Sequence, residues 1–184
     1  MKKAIVLLAD GFEDVEAVTP IDYLRRAGIE VTTASISKTQ TVTSKWGGIK
    51  LTADTILTEQ IINSEWDAVI LPGGMPGAVN LAASKDVTAL LQKTAEAGRL
   101  VCAICASPVL VLAPLGILAG KKFTCYPGLE EKVTNALWQK DRVVVDGSII
   151  TSRAAGTTGE FALAIVEKLL DKEAAKKLSD ILLL

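Results

Sequence analysis

The hydrophobic residues of the chain fall into short continuous runs, separated by longer segments in which apolar residues recur every three or four positions. Four short runs rich in strand-forming residues predict β-strands, at Lys3–Ala9, Glu30–Ser35, Ala68–Leu71 and Leu100–Ile104, and all but Glu30–Ser35 are almost entirely apolar. Runs that are apolar at nearly every position are typical of strands covered on both faces, as in a parallel sheet. The pattern therefore predicts the buried centre of an α/β domain.

Amphipathic segments lie between and after these strands. Two of them, Glu16–Ala27 and Ser84–Ala97, predict helices that end at a glycine just before an apolar strand. The C-terminal part predicts a hairpin around Asp146-Gly147, followed by two closing helices, Thr158–Leu170 and Glu173–Leu182. Alternating strands and helices favour right-handed crossovers. We therefore predict a mostly parallel sheet covered by helices on both faces.

The segment from Leu100 to Gly120 contains no charged residue and is nearly long enough to span a bilayer. Pro108, Pro114 and Gly116 interrupt it, which does not suit a continuous membrane helix. Strands and helices in the centre of an α/β domain are also expected to be apolar throughout. We interpret the segment as a buried strand followed by a buried helix, and expect no membrane contact.

The composition suits a single globular domain over residues 1–184, with 49% hydrophobic and 22% charged residues. The net charge of −1 gives no cationic surface for a phosphate backbone, so nucleic acid is not expected as the primary ligand. The N-terminal apolar run is too short for a signal peptide, and three cysteines fit a reducing compartment, so we expect a cytoplasmic protein. Lys38–Lys45 is interpreted as a surface loop within the domain.

Candidate chemistry lies where the predicted strands end, because open α/β sheets bind ligands outside the carboxyl ends of their strands. Three junctions carry distinctive residues: DGFEDVEAV after the first strand, LPGGMPGA after the third, and Cys105 after the fourth. At a strand-to-helix turn, the free N–H groups of the next helix would favour the thiolate of Cys105 and lower its pKa. The alternative is a buried cysteine that acts as a small hydrophobic residue.

Cys102 and Cys105 form a C-x-x-C pattern, which can mark a redox dithiol or part of a metal site. In an extended strand, however, the two positions are about 10 Å apart, beyond the Cα separation of about 7 Å that a disulfide allows. We therefore expect Cys102 to be a core residue. Cys125, at another predicted strand end, is a candidate for a resolving thiol.

The chain contains no histidine, which excludes Cys-His and Ser-His-Asp mechanisms and histidine-based metal sites. A proton carrier near Cys105 must therefore be a carboxylate, a tyrosine, a lysine or water. Glu13, Asp14 and Glu16 follow the first strand, and we expect one of them to reach a sulfur on the adjacent strand. Their spacing does not choose among them, because acidic residues at a helix start are also explained by the helix dipole.

Four segments together resemble the ThiJ/PfpI family, and in particular its DJ-one-like (parkinsonism-associated deglycase) branch. They lie in order between about Lys3 and Leu170 and read GFEDVEAVTPIDYLRRAGIEV, DAVILPGGMPGAVNL, GRLVCAICASPVLVL and TSRAAGTTGEFALAIVE. The combination of the A-I-C-A turn, the P-G-G turn and the acidic stretch is specific. The resemblance implies a flavodoxin-like α/β sandwich, commonly a homodimer, with a readily oxidised cysteine and no cofactor or metal.

The resemblance also implies roles for individual residues. The family's nucleophile maps onto Cys105 and its glutamate onto Glu16, while its backbone donors map onto Gly74 and Ala106. A carboxyl group beside a thiolate in a partly desolvated pocket is biased towards its protonated form, so Glu16 would donate a hydrogen bond to the sulfur. The two N–H groups would stabilise an oxyanion, either on an attacked carbonyl or on an oxidised sulfur.

Three positions depart from the family pattern. Tyr126, which we expect to form part of the pocket together with Gly73, stands where relatives often have a histidine. Gly47 aligns with a frequent arginine, so anion binding near the sulfur is expected to be weaker. Ala155 replaces a common proline at the pocket rim, which affects the expected shape of the pocket.

By resemblance, the chain is a cofactor-free, glutathione-independent glyoxalase or protein deglycase, of hydrolase or lyase type. Cys105 would attack the aldehyde of methylglyoxal, or an early glycation adduct on a protein, while Glu16 shuttles protons. The products would be lactate and, for an adduct, the restored amine. The alternative is a redox sensor or stress-protective chaperone in which oxidation of Cys105 during oxidative stress is the functional event. A flavin-binding module is disfavoured, because DGFED would repel a phosphate.

Overall fold

The protein is described from a computed structural model that covers residues 1–46 and 48–184. Its strands are β1 (Lys3–Leu8), β2 (Glu30–Ser35), β3 (Thr41–Thr43), β4 (Lys50–Thr52), β5 (Thr55–Ile56), β6 (Ala68–Leu71), β7 (Leu100–Ile104), β8 (Lys122–Phe123), β9 (Leu137–Trp138), β10 (Val143–Asp146) and β11 (Ile149–Ser152). Its α-helices are α1 (Asp14–Arg26), α2 (Glu59–Asn63), α3 (Gly77–Ala83), α4 (Lys85–Glu96), α5 (Thr158–Leu169) and α6 (Lys172–Leu182).

Seven strands form one sheet, in the spatial order β10, β11, β7, β6, β1, β2 and β5. Every neighbouring pair is parallel except the hairpin of β10 and β11. The pairs β3 with β4 and β8 with β9 form two small additional ribbons. The predicted flavodoxin-like α/β sandwich with a mostly parallel sheet is confirmed, as is the hairpin around Asp146-Gly147.

The hydrophobic core is divided into two layers by the sheet. In β1, Ala4, Val6 and Leu8 pack on the face that α1, α5 and α6 cover. Ile5 and Leu7 point to the opposite face, which α3 and α4 cover. This alternation explains why β1 is apolar at every position after its first residue, because both faces of the strand are buried.

Side-chain caps set where the predicted helices begin. The Glu13 carboxylate accepts a hydrogen bond from the Glu16 N–H at 2.7 Å, so α1 begins at Asp14. That start is two residues earlier than the apolar pattern predicts. Ser84 caps α4 in the same way, through the N–H of Val87 at 3.3 Å. Both caps follow the usual preference for a side-chain acceptor before the first helical turn.

Two segments differ from the prediction. After β7, the expected buried helix is replaced by a five-residue π-helix, Pro108–Leu112, followed by turns, because proline and glycine interrupt the segment. Lys38–Lys45 is not only a loop, since it contains β3, which pairs with β4. The described residues include no helix that is both long and apolar enough to cross a membrane.

Candidate active site

Three of the predicted junctions meet at the carboxyl edge of the central sheet. In the sheet, β6 lies between β1 and β7. The expectation that a carboxyl group after β1 reaches a sulfur on the adjacent strand is therefore wrong, because Cys105 follows β7, which is two strands away. The Glu16 side chain extends over the end of β6 instead, where Gly73 lies between it and Cys105. The loop after β6 therefore forms part of the contact between the two reactive groups.

Cys105 occupies a sharp turn directly after β7. Its φ of 65° lies in the left-handed region, which is uncommon for a residue other than glycine and occurs most often at functional sites. Its backbone N–H donates to the Ser152 carbonyl at 3.0 Å, and its carbonyl accepts from the Tyr126 N–H at 2.8 Å. These two bonds hold the turn on both sides and direct the thiol away from the strand.

Glu16 is a buried carboxyl group with a defined set of partners. Its side chain lies on the first turn of α1, and the residue is 1% exposed. Its Oε2 accepts a hydrogen bond from the Gly73 N–H at 2.9 Å. Burial, followed by the charge of Glu13, raises the pKa of Glu16 to about 7, while hydrogen bonds from Cys105 and from the N–H groups of Gly73 and Ala155 oppose this rise.

The thiol of Cys105 receives hydrogen bonds from the N–H groups of Gly74 and Ala106, and both lower its pKa. From the sequence we expected the donors to be the first N–H groups of a long helix. They lie instead in the turns after β6 and after β7. Burial has a larger effect on this pKa than the two N–H donors. Burial, the negative charge of Glu16 and the hydrogen bond to Glu16 together raise the pKa of Cys105 to about 12. The expected lowering of the thiol pKa is therefore wrong for a site in which Glu16 is ionised.

Glu16 and Cys105 titrate as one unit, because each group determines the charge that the other can carry. Burial disfavours two adjacent anions, so the pair loses its first proton only near pH 7 and holds the second strongly. The singly deprotonated pair has two forms, a thiol beside a carboxylate and a thiolate beside a carboxylic acid. A single proton transfer along their hydrogen bond interconverts these forms.

Gly73 and Gly74 are required for different reasons. A Cβ atom on Gly73 would lie 2.5 Å from the Oε2 of Glu16 and 2.6 Å from the Cβ of Cys105, so any side chain would separate the reactive pair. Gly74 has a φ of 92°, which only glycine adopts readily, and this conformation aims its N–H at the sulfur. The P-G-G turn thus permits the close approach and also supplies two donors.

The three acidic residues that the sequence left unresolved have separate positions. Glu13 is the cap of α1, as the helix-start interpretation expects. Asp14 is partly buried, and its Oδ1 has no hydrogen-bond partner among the described residues. Glu16 is the residue that contacts the thiol. Their spacing cannot distinguish them, because all three lie within four positions, and the contact with the thiol falls to Glu16, the residue that the family resemblance implies.

Two contacts of the site were not predicted from the sequence. The buried hydroxyl of Ser107 donates to the Pro72 carbonyl at 2.5 Å, which joins the turn after β7 to the turn after β6. In the sequence, the only indication of this contact is a single serine within a run of otherwise apolar residues. The backbone N–H of Ala155 acts on Glu16, and no side-chain pattern reports a backbone donor.

A cavity of about 450 Å³ opens above the thiol. Glu16, Cys105, Gly74 and Ala106 line it, whereas Gly73 is buried behind it. Its other lining residues are Glu13, Lys45, Trp46, Met75, Leu110, Tyr126, Leu129, Lys132, Ala154 and Ala155. Tyr126 is half exposed at its wall, where we expected it. The predicted alignment at Gly47 lies outside the described residues.

The other two cysteines are buried away from this cavity. Cys102 is fully buried in β7, and burial raises its pKa. Cys125 is 1% exposed, and burial raises its pKa to about 12. Cys125 belongs to the core layer on the α4 face, whereas Cys105 packs against the layer on the α1 face. All three cysteines are free, which agrees with a core position for Cys102.

The sequence is similar to proteins from several eukaryotes. It is 44% identical over 175 residues to Protein DJ-1 homolog B of Arabidopsis thaliana, and the match covers 95% of this chain. The chain spans only 40% of that protein, and 47% of Protein DJ-1 homolog A of the same plant. It is 35% identical to Glutathione-independent glyoxalase DJR-1.2 of Caenorhabditis elegans, covering 96% of this chain and 94% of that protein.

The structure is similar to solved structures along its whole length. Toxoplasma gondii DJ-1, solved in an oxidized form, superposes with a TM-score of 0.96 at 39% identity, covering 100% of this chain and 98% of that one. The model of the DJ-1/PfpI family matches residues 2–168. With the turn around Cys105 and the P-G-G turn in place, these matches show that the chain belongs to the DJ-1/PfpI family.

Proposed function

We propose that this protein is a cofactor-free glyoxalase and deglycase in which Cys105 is the nucleophile and Glu16 carries the proton. The observation that carries the proposal is the contact between the Glu16 carboxyl and the Cys105 thiol, with N–H groups of Gly74 and Ala106 on the same sulfur. A nucleophile next to a proton carrier and two oxyanion donors is the arrangement that carbonyl addition requires. The name of the C. elegans relative, a glutathione-independent glyoxalase, also supports it.

The first step is addition to the aldehyde. The thiolate of Cys105 forms a C–S bond to the aldehyde carbon of methylglyoxal, and the C=O electron pair moves onto oxygen. The N–H groups of Gly74 and Ala106 stabilise the developing negative charge, and the Glu16 carboxyl donates its proton to give a hemithioacetal. With an early glycation adduct, the C–S bond forms as the C–N bond breaks, and the amine leaves with the proton of Glu16.

The second step moves a hydrogen between the two carbons of the former dicarbonyl. The Glu16 carboxylate removes the proton from the sulfur-bearing carbon and returns it to the neighbouring carbon, while the hydroxyl proton on the first carbon passes to the oxygen of the second. The first carbon is thereby oxidised to a thioester while the second is reduced to an alcohol, so no external oxidant or reductant is needed. Water then hydrolyses the thioester to lactate and restores the thiol. A carboxyl pKa of about 7 suits a group that must both donate and accept a proton.

Oxidation of Cys105 is the alternative functional event, and the same site favours it. The N–H groups that would stabilise a carbonyl oxyanion would also hold the oxygens of a sulfinate. The Toxoplasma relative was solved in an oxidized form. In a redox sensor, peroxide would add about two oxygen masses at Cys105 without any requirement for turnover.

A homodimer in the cytoplasm is part of this proposal. Val15 and Val18 on the outer face of α1 are 46% and 47% exposed, and Ile49 nearby in the chain segment before β4 is 57% exposed. The segment before Ile49 contacts the start of α1, since the Lys45 N–H bonds the Phe12 carbonyl at 2.8 Å. Covering such apolar residues stabilises an association, and sedimentation analysis of the purified chain would test it.

The decisive experiment compares wild type with Cys105→Ala and Cys125→Ala, following methylglyoxal loss and lactate formation. Removing the nucleophile is expected to reduce turnover to the uncatalysed background, a loss of roughly a thousandfold or more. Cys125→Ala is the matched control, because it removes a buried thiol on the other face of the sheet. Turnover that survives in Cys105→Ala would show that the proposal is wrong. Turnover that is absent in wild type while peroxide oxidises Cys105 would favour the sensor.

A further inference from the structure

The cavity above Cys105 has a polar floor and largely apolar walls. The floor is formed by the thiol, by Glu16 and by the backbone of Gly74 and Ala106. The walls carry side chains that have no hydrogen-bonding function, namely Met75, Leu110, Leu129, Ala154 and Ala155. The arrangement separates a small reactive region from a larger, mostly apolar region, where Tyr126 and the charged residues Glu13, Lys45 and Lys132 add a few polar groups.

Leu110 shows that this apolar wall is not needed by the fold. It lies in the π-helix Pro108–Leu112, where the other four residues are buried in the core. Leu110 alone remains partly exposed, and it faces the cavity. Met75, directly after the P-G-G turn, also lines the cavity and is 45% exposed. Both side chains leave apolar surface in contact with water that a ligand could cover.

The volume exceeds what a three-carbon dicarbonyl occupies. A cavity of about 450 Å³ falls in the range of roughly 300–1,000 Å³ that encloses ligands much larger than methylglyoxal. With its carbonyl held at the sulfur, methylglyoxal would leave the apolar walls uncovered. A longer hydrocarbon substituent would cover them, at about 0.8 kcal/mol for each buried methylene.

The charges around the cavity do not favour an ionic substituent instead. Lys45 and Lys132 contribute positive charge, and Glu13 contributes negative charge. The ammonium of Lys45 lies 4.5 Å from the centre of the Trp46 ring, so this cation already has a partner. Charges of both signs at the mouth favour neither an anionic nor a cationic substrate.

We propose that this site accepts α-oxoaldehydes, and adducts derived from them, that carry an apolar alkyl or aryl substituent longer than methyl. The carbonyl would lie at Cys105 between the Gly74 and Ala106 N–H groups, and the substituent would lie between Leu110 and Met75. This inference rests on the proposed function for the reaction itself, while the selectivity follows from the cavity alone.

The test measures kcat/KM for methylglyoxal, propylglyoxal, butylglyoxal and phenylglyoxal. Each buried methylene is expected to raise kcat/KM by up to about fourfold, so butylglyoxal should exceed methylglyoxal by roughly tenfold or more. Leu110→Ser should lower the ratio of butylglyoxal to methylglyoxal. Leu170→Ser, which changes an exposed leucine outside the cavity, should keep the ratio. A flat or falling series with intact methylglyoxal turnover would overturn the inference.

A second measurement does not depend on turnover. The rate at which iodoacetamide alkylates Cys105 is compared with the rates of its N-butyl and N-benzyl derivatives, with free cysteine as the reference for intrinsic reactivity. An apolar cavity predicts faster labelling of Cys105 by the derivatives in wild type and a smaller gain in Leu110→Ser. Equal relative rates would overturn the inference even if the proposed glyoxalase activity failed for another reason.

Discussion

The two edges of the central sheet each place a carboxyl group among several partners, yet with opposite results. At the amino edge, Asp67 receives hydrogen bonds from the Lys2 ammonium at 3.1 Å, the Lys3 N–H at 2.9 Å and the Arg99 guanidinium at 3.2 Å. Burial acts to raise the pKa of Asp67, but these hydrogen bonds and the charges of Lys2 and Arg99 outweigh it, so the pKa is lowered. Asp67 therefore stays ionised.

At the carboxyl edge, Glu16 has no cationic partner among the described residues. Its partners are a thiol and backbone N–H groups, and the charge that acts on its pKa is the negative charge of Glu13. Burial therefore dominates, and the pKa of Glu16 rises to about 7. The two sites differ both in burial, which is deeper at Glu16, and in the cations that only Asp67 has, and a lysine beside Glu16 would fix its charge and prevent it from exchanging a proton.

The largest expected effect separates the two carboxyl groups by activity. Glu16→Gln keeps the volume and a hydrogen-bond donor but removes the transferable proton, so methylglyoxal turnover should fall by roughly a hundredfold or more. Asp67→Asn, at the other edge, should retain turnover because Asp67 does not contact the cavity. Steady-state kinetics on both variants, with alkylation of Cys105 to verify an intact site, provide the measurement.

Glu13→Gln is the closest control for that experiment. It changes the cap of α1, three residues before Glu16, without removing the carboxyl group that contacts the thiol. Equal and small effects of Glu16→Gln and Glu13→Gln on turnover and on Cys105 oxidation would contradict the assignment of Glu16. In a sensor, Glu16→Gln should still form the oxidised cysteine, because the backbone donors remain.

The second prediction concerns stability and pH. The folded pKa of Glu16 is raised, so its contribution is fully present below about pH 4.5 and is lost as the pH rises through about 7. The difference amounts to up to about 3 kcal/mol in the free energy of unfolding. For Asp67 the folded pKa is lowered, so its contribution is present near neutral pH and is lost as the pH falls. Because the loss for Asp67 falls below about pH 4, urea titrations between pH 2 and 8 should show both trends.

The variants assign each trend to its carboxyl group. Glu16→Gln should remove the loss of stability between about pH 5 and pH 8, because the amide does not ionise. Asp67→Asn should leave that loss in place and weaken the decline on the acidic side. A wild-type profile that rises between pH 5 and pH 8, and that Glu16→Gln does not alter, would contradict the raised pKa of Glu16.

A smaller effect is expected from the buried hydroxyl that joins the two turns. Ser107→Ala removes the donor to the Pro72 carbonyl and should destabilise the fold by about 1–3 kcal/mol. Thr33→Val is the matched control, because the Thr33 hydroxyl bonds Asp54 at 2.8 Å on the strand β2, far from the cavity lining. If Ser107→Ala and Thr33→Val lose similar stability but only Ser107→Ala lowers kcat, by roughly tenfold, the Ser107 hydroxyl has a positioning role.

The parts of the molecule that the sequence predicts well are those in which one pattern determines one structure. Strands such as Ala68–Leu71 and Leu100–Ile104 have the bounds that their apolar runs predict, because both faces of each strand are buried. The site at the strand ends follows from the same topology. Helix starts are less certain, since α1 begins at the Glu13 cap and not at its first apolar residue.

What the sequence does not contain is the order of the strands and the partners of the backbone. Both Glu16 and Glu13 suit a helix start by their spacing, and although the resemblance points to Glu16, the contacts come from the fold: Glu13 caps α1, whereas Glu16 accepts from the Gly73 N–H beside the thiol. The pKa of Cys105 also depends on long-range contacts, because burial and Glu16 oppose the two N–H donors. Motifs identify the groups, whereas the balance of their charges requires the fold.

The smallest expected effect tests a single backbone donor of Glu16. Ala155 opens a 3-10 helix, Ala155–Thr157, after the extended Ala154, and proline is tolerated at such a position. Ala155→Pro removes the N–H that lowers the pKa of Glu16, so that pKa should rise. The ascending limb of the profile of kcat/KM against pH should then move to higher pH by a few tenths of a pH unit. Ala155→Gly keeps the N–H and removes only the methyl group. Equal displacement of the limb in both variants would assign the effect to packing at the rim and not to the hydrogen bond.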